Sequence, residues 1–301
     1  MTLETQQDTP PEAAHQSSDY LNGFSPRVMD WDAAKVFAAK NIKIAFRYPA
    51  NFLIWGFLPI LWFAPYILMA NALTGTSSSP HFTELSGFND FISFSVIGWF
   101  VYMYLDNSIW AIGNNFRWEQ FSGTLEPLFI TPVSRISILL GAAFSNTIQA
   151  VIQTLVLLFT GIILFGVTYA FTAIAPTAVI LFLMVITLYG FGFMLAGLIL
   201  VFKDPSVLSE LISNSTYMLS PVNYPIQALP QSVQFVAYLI PTTIGIITIR
   251  EIAITGIFDL FSFLSSIGSL GLLAVFFWIL GLTSFRYAEK WTKQRGSMGD
   301  F

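Results

Sequence analysis

The sequence contains no cysteine, only two histidines, and charged residues at just 10% of its 301 positions. The first absence excludes disulfides, thiolate metal sites and a cysteine nucleophile. The second, with His15 and His81 both in polar stretches, excludes a multi-histidine metal centre. The third argues against a water-soluble fold, because soluble domains carry about 25% charged residues. Also missing is any G-x-x-x-x-G-K-[ST] loop to cradle phosphates. Ten-residue segments of alternating polarity, the mark of a membrane barrel, are missing too.

Apolar residues dominate, at 55% of the chain, with a mean hydropathy of +0.68. Six stretches approach the roughly 20 residues needed to cross a bilayer. They are 51–72, 91–113, 136–166, 173–201, 207–222 and 262–284. The fifth is short and polar; the third is long enough to tilt or project. The expected fold is therefore all-α, a bundle of six transmembrane helices spanning 49–285.

Residues 1–26 are acidic, rich in Pro, Ser and Gln, and lack the apolar run of a signal peptide. They are expected to form a disordered tail. Residues 27–48 predict an amphipathic helix capped by Asp30. Trp31, Ala34, Ala38, Ile42 and Ala45 form one row, and Lys35, Lys40, Lys43 and Arg47 keep off it. Such a helix suits the headgroup layer, with a soluble surface helix as the alternative.

The basic residues set the orientation. Five precede the first span: Arg27, Lys35, Lys40, Lys43 and Arg47. Arg117 and Arg135 fall between spans two and three, Lys203 between four and five, and Arg286, Lys290, Lys293 and Arg295 after the last. The loops 73–90 and 167–172 have none, and 223–261 has only Arg250. The positive-inside rule then makes the basic side cytoplasmic. Both termini, the 286–301 tail included, are expected there.

Between spans two and three lies RWEQFSGTLEPLFITPVSR, residues 117–135. Phe121, Leu125 and Leu128 fall at helical spacing, and Thr131-Pro132 ends the pattern because a residue before proline is pushed out of the helical region. Ser134 is placed to cap the next helix. By residue pattern alone, this is either a short helix lying parallel to the membrane or a loop tucked against the bundle.

The pattern E-x-x-x-G-T-L-E-x-L-x-x-T-P-x-S-R resembles the signature of type-2 ABC transporter permeases. Here it reads Glu119, Gly123, Thr124, Leu125, Glu126, Leu128, Thr131, Pro132, Ser134 and Arg135. Residues 220–243, SPVNYPIQALPQSVQFVAYLIPTT, are similar to that family's segment after its fifth helix, although Ile240-Pro241-Thr242-Thr243 lacks the usual Asn and Tyr. Arg250 stands where the family commonly has a lone arginine. The resemblance covers about residues 28 to 295.

It implies a transmembrane subunit that forms the substrate pathway as a dimer, with a second copy or a paralogue. ATP and Mg would be held by separate cytoplasmic ATPase subunits, leaving no cofactor in this chain. It further implies that 114–133 is the coupling helix, with Glu119, Gly123, Thr124, Leu125, Glu126, Leu128, Thr131 and Pro132 at the ATPase contact. Residues 223–257 would be re-entrant helices, which agrees with an apolar segment broken by Pro225, Pro230, Pro241 and Gly245. The implied setting is a prokaryotic plasma membrane, the implied role export. Nucleic acid has no place in this reading.

Polar side chains at membrane depth are costly unless they face protein or water. Tyr102 and Asp106 on the second span, and Ser213, Asn214 and Tyr217 on the fifth, are the pathway candidates. Asn146, Gln149 and Gln153 share one face of the third span, as pathway or as interhelical glue. Gly190 and Gly192 lie inside an apolar span, where glycine permits close helix packing rather than dinucleotide binding. An ATP-independent carrier or channel would need an inverted repeat or midplane charges. An intramembrane enzyme would need a paired acid/base or metal constellation, which Asp106 alone does not supply.

Overall fold

The computed structural model describes residues 30–74, 79–124, 127, 128, 131, 133–202 and 205–295. Among them the regular structure is helical. The α-helices are α1 (Trp31–Arg47), α2 (Pro49–Thr74), α3 (Pro80–Ser86), α4 (Phe91–Phe121) and α5 (Arg135–Phe165). Then come α6 (Ile174–Phe202), α7 (Pro205–Leu219), α8 (Gln231–Tyr238), α9 (Pro241–Thr255) and α10 (Leu260–Arg295). Short 3-10 turns at Phe171–Ala173 and Ile226–Ala228 join them.

α4 is the centre of the bundle. Residues 93 to 105 are buried on every side, and an all-round apolar helix belongs in a core. α2, α5, α6, α7 and α9 pack around it. α10 lies along α6, and glycine makes their close approach possible. A Cβ on Gly281 would sit 2.4 Å from the Gly190 carbonyl oxygen, and one on Gly190 would sit 2.8 Å from the Trp278 nitrogen. Trp278 Nε1 donates to the Ile186 carbonyl at 2.9 Å across the same seam. The packing role expected of Gly190 is thus the observed one.

Three helices are each long and apolar enough to cross a bilayer: Arg135–Phe165, Ile174–Leu198 and Leu260–Ala288. Three bent pairs pass the same test together. α1 and α2 meet at 85°, α3 and α4 at 44°, and α8 and α9 at 94°. The expected fifth span, 207–222, is instead the 15-residue α7. At about 1.5 Å per residue it covers only some 22 Å, less than the roughly 30 Å of hydrocarbon. Pro221 explains the early stop: Ser220, just before it, is disfavoured in the helical region. The expected break between 223 and 257 takes the form of α8 and α9. Two of its prolines act as starters, with Pro230 capping α8 and Pro241 opening α9 at the first helical position, where a missing N–H costs nothing.

Asp30 caps α1 as expected, accepting from the Asp32 and Ala33 nitrogens. The buried face differs from the expected row. Ala34, Phe37 and Ala38 are buried against α5, while Trp31 is exposed. The contact is close, since a Cβ on Gly141 of α5 would lie 2.5 Å from the Ala34 oxygen.

Candidate functional site

The 117–135 segment is not built as one separate helix. Arg117 to Phe121 are the last turns of α4, and Glu119 is part of that long helix. Gly123 then takes φ +68°, and the Thr124 nitrogen donates back to the Glu119 carbonyl at 2.9 Å. This is a Schellman C-cap, with glycine at the left-handed position. Hydropathy ends near residue 113, but nothing in the following residues breaks a helix, so α4 continues.

Glu119 faces inward. Lys40 of α1 donates to both of its carboxylate oxygens, at 2.7 and 2.8 Å, and Thr124 Oγ1 donates to it at 2.5 Å. The Glu119 side chain is 9% exposed and that of Lys40 39%. Expected as a partner contact, Glu119 is therefore consumed by an internal ion pair. The next turn is anchored as well. Leu128 packs with Phe37, Ile138 and Ala142, so it does not share an outward face with Phe121, which is 72% exposed. Ser134 caps α5 as expected, accepting from the Ser137 nitrogen. Ser137 Oγ in turn accepts from the Asp30 nitrogen at 2.8 Å.

α1, the end of α4, the turn and the start of α5 thus form one clasped unit. It leaves Phe121, Gly123, Thr124, Pro127 and Thr131 on the surface. Leu125, Glu126 and Pro132 lie outside the described residues.

Lys40→Met should lower stability by about 1–2 kcal/mol, because Lys40 is partly exposed and Thr124 still donates to the carboxylate it leaves. Adding Glu119→Gln should recover part of that loss. The thermal midpoint of the purified chain in detergent reads both effects. An unchanged midpoint for Lys40→Met would show that the pair is not a clasp.

The second constellation lies where α4 meets α7. Trp99, Tyr102, Asp106 and Trp110 recur at spacings of three, four and four, so they share one face of α4. α7 answers with Ser213, Thr216 and Tyr217. The Tyr102 hydroxyl donates to the Ser213 carbonyl at 2.9 Å and lies 3.0 Å from Ser213 Oγ. Ser213 Oγ donates to Asp106, and the Trp110 side chain hydrogen-bonds the same carboxyl. Tyr217 stacks edge-on to Tyr102 at 5.2 Å between ring centres and lies 5.3 Å from Trp99.

Four of the five pathway candidates are therefore brought together. Asn214 is not, because it sits on the exposed side of α7, one position round the helix from Ser213. On α5, Gln153 is buried and accepts from Asn107 Nδ2 at 3.3 Å, while Asn146 donates to its own helix at Ala142. Of that row, Gln153 is the member shown fastening α5 to α4.

Arg250 was not among the expected site residues, yet its side chain ties distant segments of the bundle together. Only 2% exposed, it donates Nε to the Phe94 carbonyl at 2.9 Å, Nη1 to Pro221 at 2.5 Å and Nη2 to Val222. Its guanidinium also lies over the Phe94 ring at 3.4 Å. The available signal was its isolation, as the one basic residue of 223–261.

A family model described as ABC-2 type transporter matches residues 33–254, from the first turn of α1 to the end of α9. Comparison with curated proteins gives no match.

Proposed function

The chain belongs to the ABC-2 type transporter family, and from that premise we propose that it is the permease subunit of an ATP-driven exporter. In this reading two permease subunits, identical or paralogous, enclose the pathway in a prokaryotic plasma membrane. α4 and α7 line it with Tyr102, Asp106, Ser213 and Tyr217. Both termini and the 117–135 segment lie in the cytoplasm, where separate ATPase subunits bind ATP and Mg. The clasped turn, with its exposed Phe121, Thr124, Pro127 and Thr131, is the docking surface. The 85° bend between α1 and α2 suits a helix in the headgroup layer followed by a span, and the 94° bend between α8 and α9 suits a re-entrant pair.

The observation that carries the proposal is the family match, which extends over both the clasp and the α4–α7 seam. Tagged full-length chain, extracted gently from its own membrane, should co-purify with an ATPase subunit and show ATP-dependent transport in vesicles. Transport by the chain alone, with no ATPase bound, would overturn the proposal in favour of an ATP-independent carrier.

A further inference from the structure

Asp106 is set among aromatics, and neither ion pair seen among the described residues, Lys35–Asp32 or Lys40–Glu119, involves it. An ionised carboxylate at membrane depth calls for a counter-charge. The chain withholds one, since no Lys or Arg occurs from 48 to 116 or from 205 to 249. Arg250, the one cation between those stretches and the last span, spends its donors on three backbone carbonyls.

Beside the carboxyl lie the Ser213 hydroxyl and Trp110, and further along the same seam the rings of Tyr102, Trp99 and Tyr217 pack on one another. Trp110, Tyr66 and Trp62 are partly exposed along the seam. Tyr217 is half-buried and hydrogen-bonded to Tyr66, and Trp99 lies 6.1 Å from Trp62 between ring centres. Aromatic faces attract cations through their quadrupole, most strongly when desolvated. Phosphate-bearing and other anionic substrates would meet a carboxylate here and no compensating positive charge.

We propose that the seam between α2, α4 and α7 receives a lipophilic organic monocation, its charge at Asp106 and its apolar body against Tyr66, Trp99 and Tyr217. The inference rests on the pathway reading above and narrows its substrate class. Ser213 orients the carboxyl by donating to it, and Tyr102 fixes Ser213 from the other side. Both are positioning residues.

The test uses the full-length chain in lipid nanodiscs, with binding measured by equilibrium dialysis and empty discs subtracted. The probe is tetraphenylphosphonium, and the neutral comparison is triphenylphosphine oxide. Wild type should bind the cation saturably. Asp106→Asn should weaken that binding by about tenfold or more, as loss of one close charge pair requires, and should leave the neutral compound unaffected. Tyr217→Leu should weaken cation binding, and Tyr217→Phe, which keeps the ring, should not. The two Tyr217 variants test the proposal independently if Asp106→Asn fails to fold.

No saturable cation binding, an unchanged affinity in Asp106→Asn, or equal losses for the charged and neutral probes would each overturn the inference. Binding is read without any ATPase, so its failure is distinct from failure of the transporter reading. A chain that binds the cation but recruits no ATPase sinks only that reading. ATP-driven transport indifferent to Asp106 sinks only this one.

Discussion

Arg250→Ala is expected to prevent the chain from accumulating as a monodisperse folded protein. The guanidinium ties three segments: the start of α4 through Phe94, the turn after α7 through Pro221 and Val222, and α9, its own helix. Removing it strands the buried carbonyls of Pro221 and Val222, which lie outside any helix, and takes a second donor from the Phe94 carbonyl, which keeps its own helix bond. Each stranded acceptor costs about 1–3 kcal/mol, so a total of about 2 kcal/mol or more follows for the two. Relief of the buried charge offsets some of this, but alanine leaves a void and no donor. Arg250→Lys should recover little, because an ammonium lacks the planar fork that spans three acceptors. Yield after size-exclusion chromatography and the thermal midpoint are the measurements. A wild-type midpoint for Arg250→Ala would refute the account.

Gly123→Pro is expected to leave the protein in the membrane and reduce ATP-dependent transport to background. The cause is local geometry. Gly123 sits at φ +68°, and proline is fixed near −65°. The chain would leave α4 in another direction, and Thr124 could no longer fold back onto Glu119. The docking surface would lose its shape while the spans remained intact. Gly123→Asn supplies the control, because asparagine tolerates the left-handed region, and it should retain most transport. Normal vesicle transport by Gly123→Pro would show that the turn is not where the ATPase acts.

The sequence revealed some of this architecture because its signals are local. Apolar runs located the long helices, Asp30 and Ser134 announced their own capping roles, and Gly190 read as a close-packing position. The loop motif pointed to the family. Other features depend on partners that no local pattern names. Lys40 and Glu119 are 79 residues apart, and nothing in either neighbourhood marks the other. The donors of Arg250 end on backbone carbonyls, which every residue has. α4 runs past its expected end because hydropathy reports where the membrane stops, whereas helices stop only at a cap. Ser213 and Asn214 are adjacent in sequence but about 100° apart around α7, so one joins the seam and the other faces away.

α4 is one uninterrupted helix, and its two ends are gripped by different clamps. Arg250 holds it at Phe94, and Lys40 holds it at Glu119. Over those 25 positions the rod is roughly 38 Å long. No proline or cap interrupts it between the clamps, so the two ends are joined by continuous helix. On the proposed docking at the Gly123 turn, a push there would be carried along the rod to Asp106. The angular phase between the clamps is then set by the helix itself. One inserted residue would shift that phase by about 100° while leaving every side chain chemically intact.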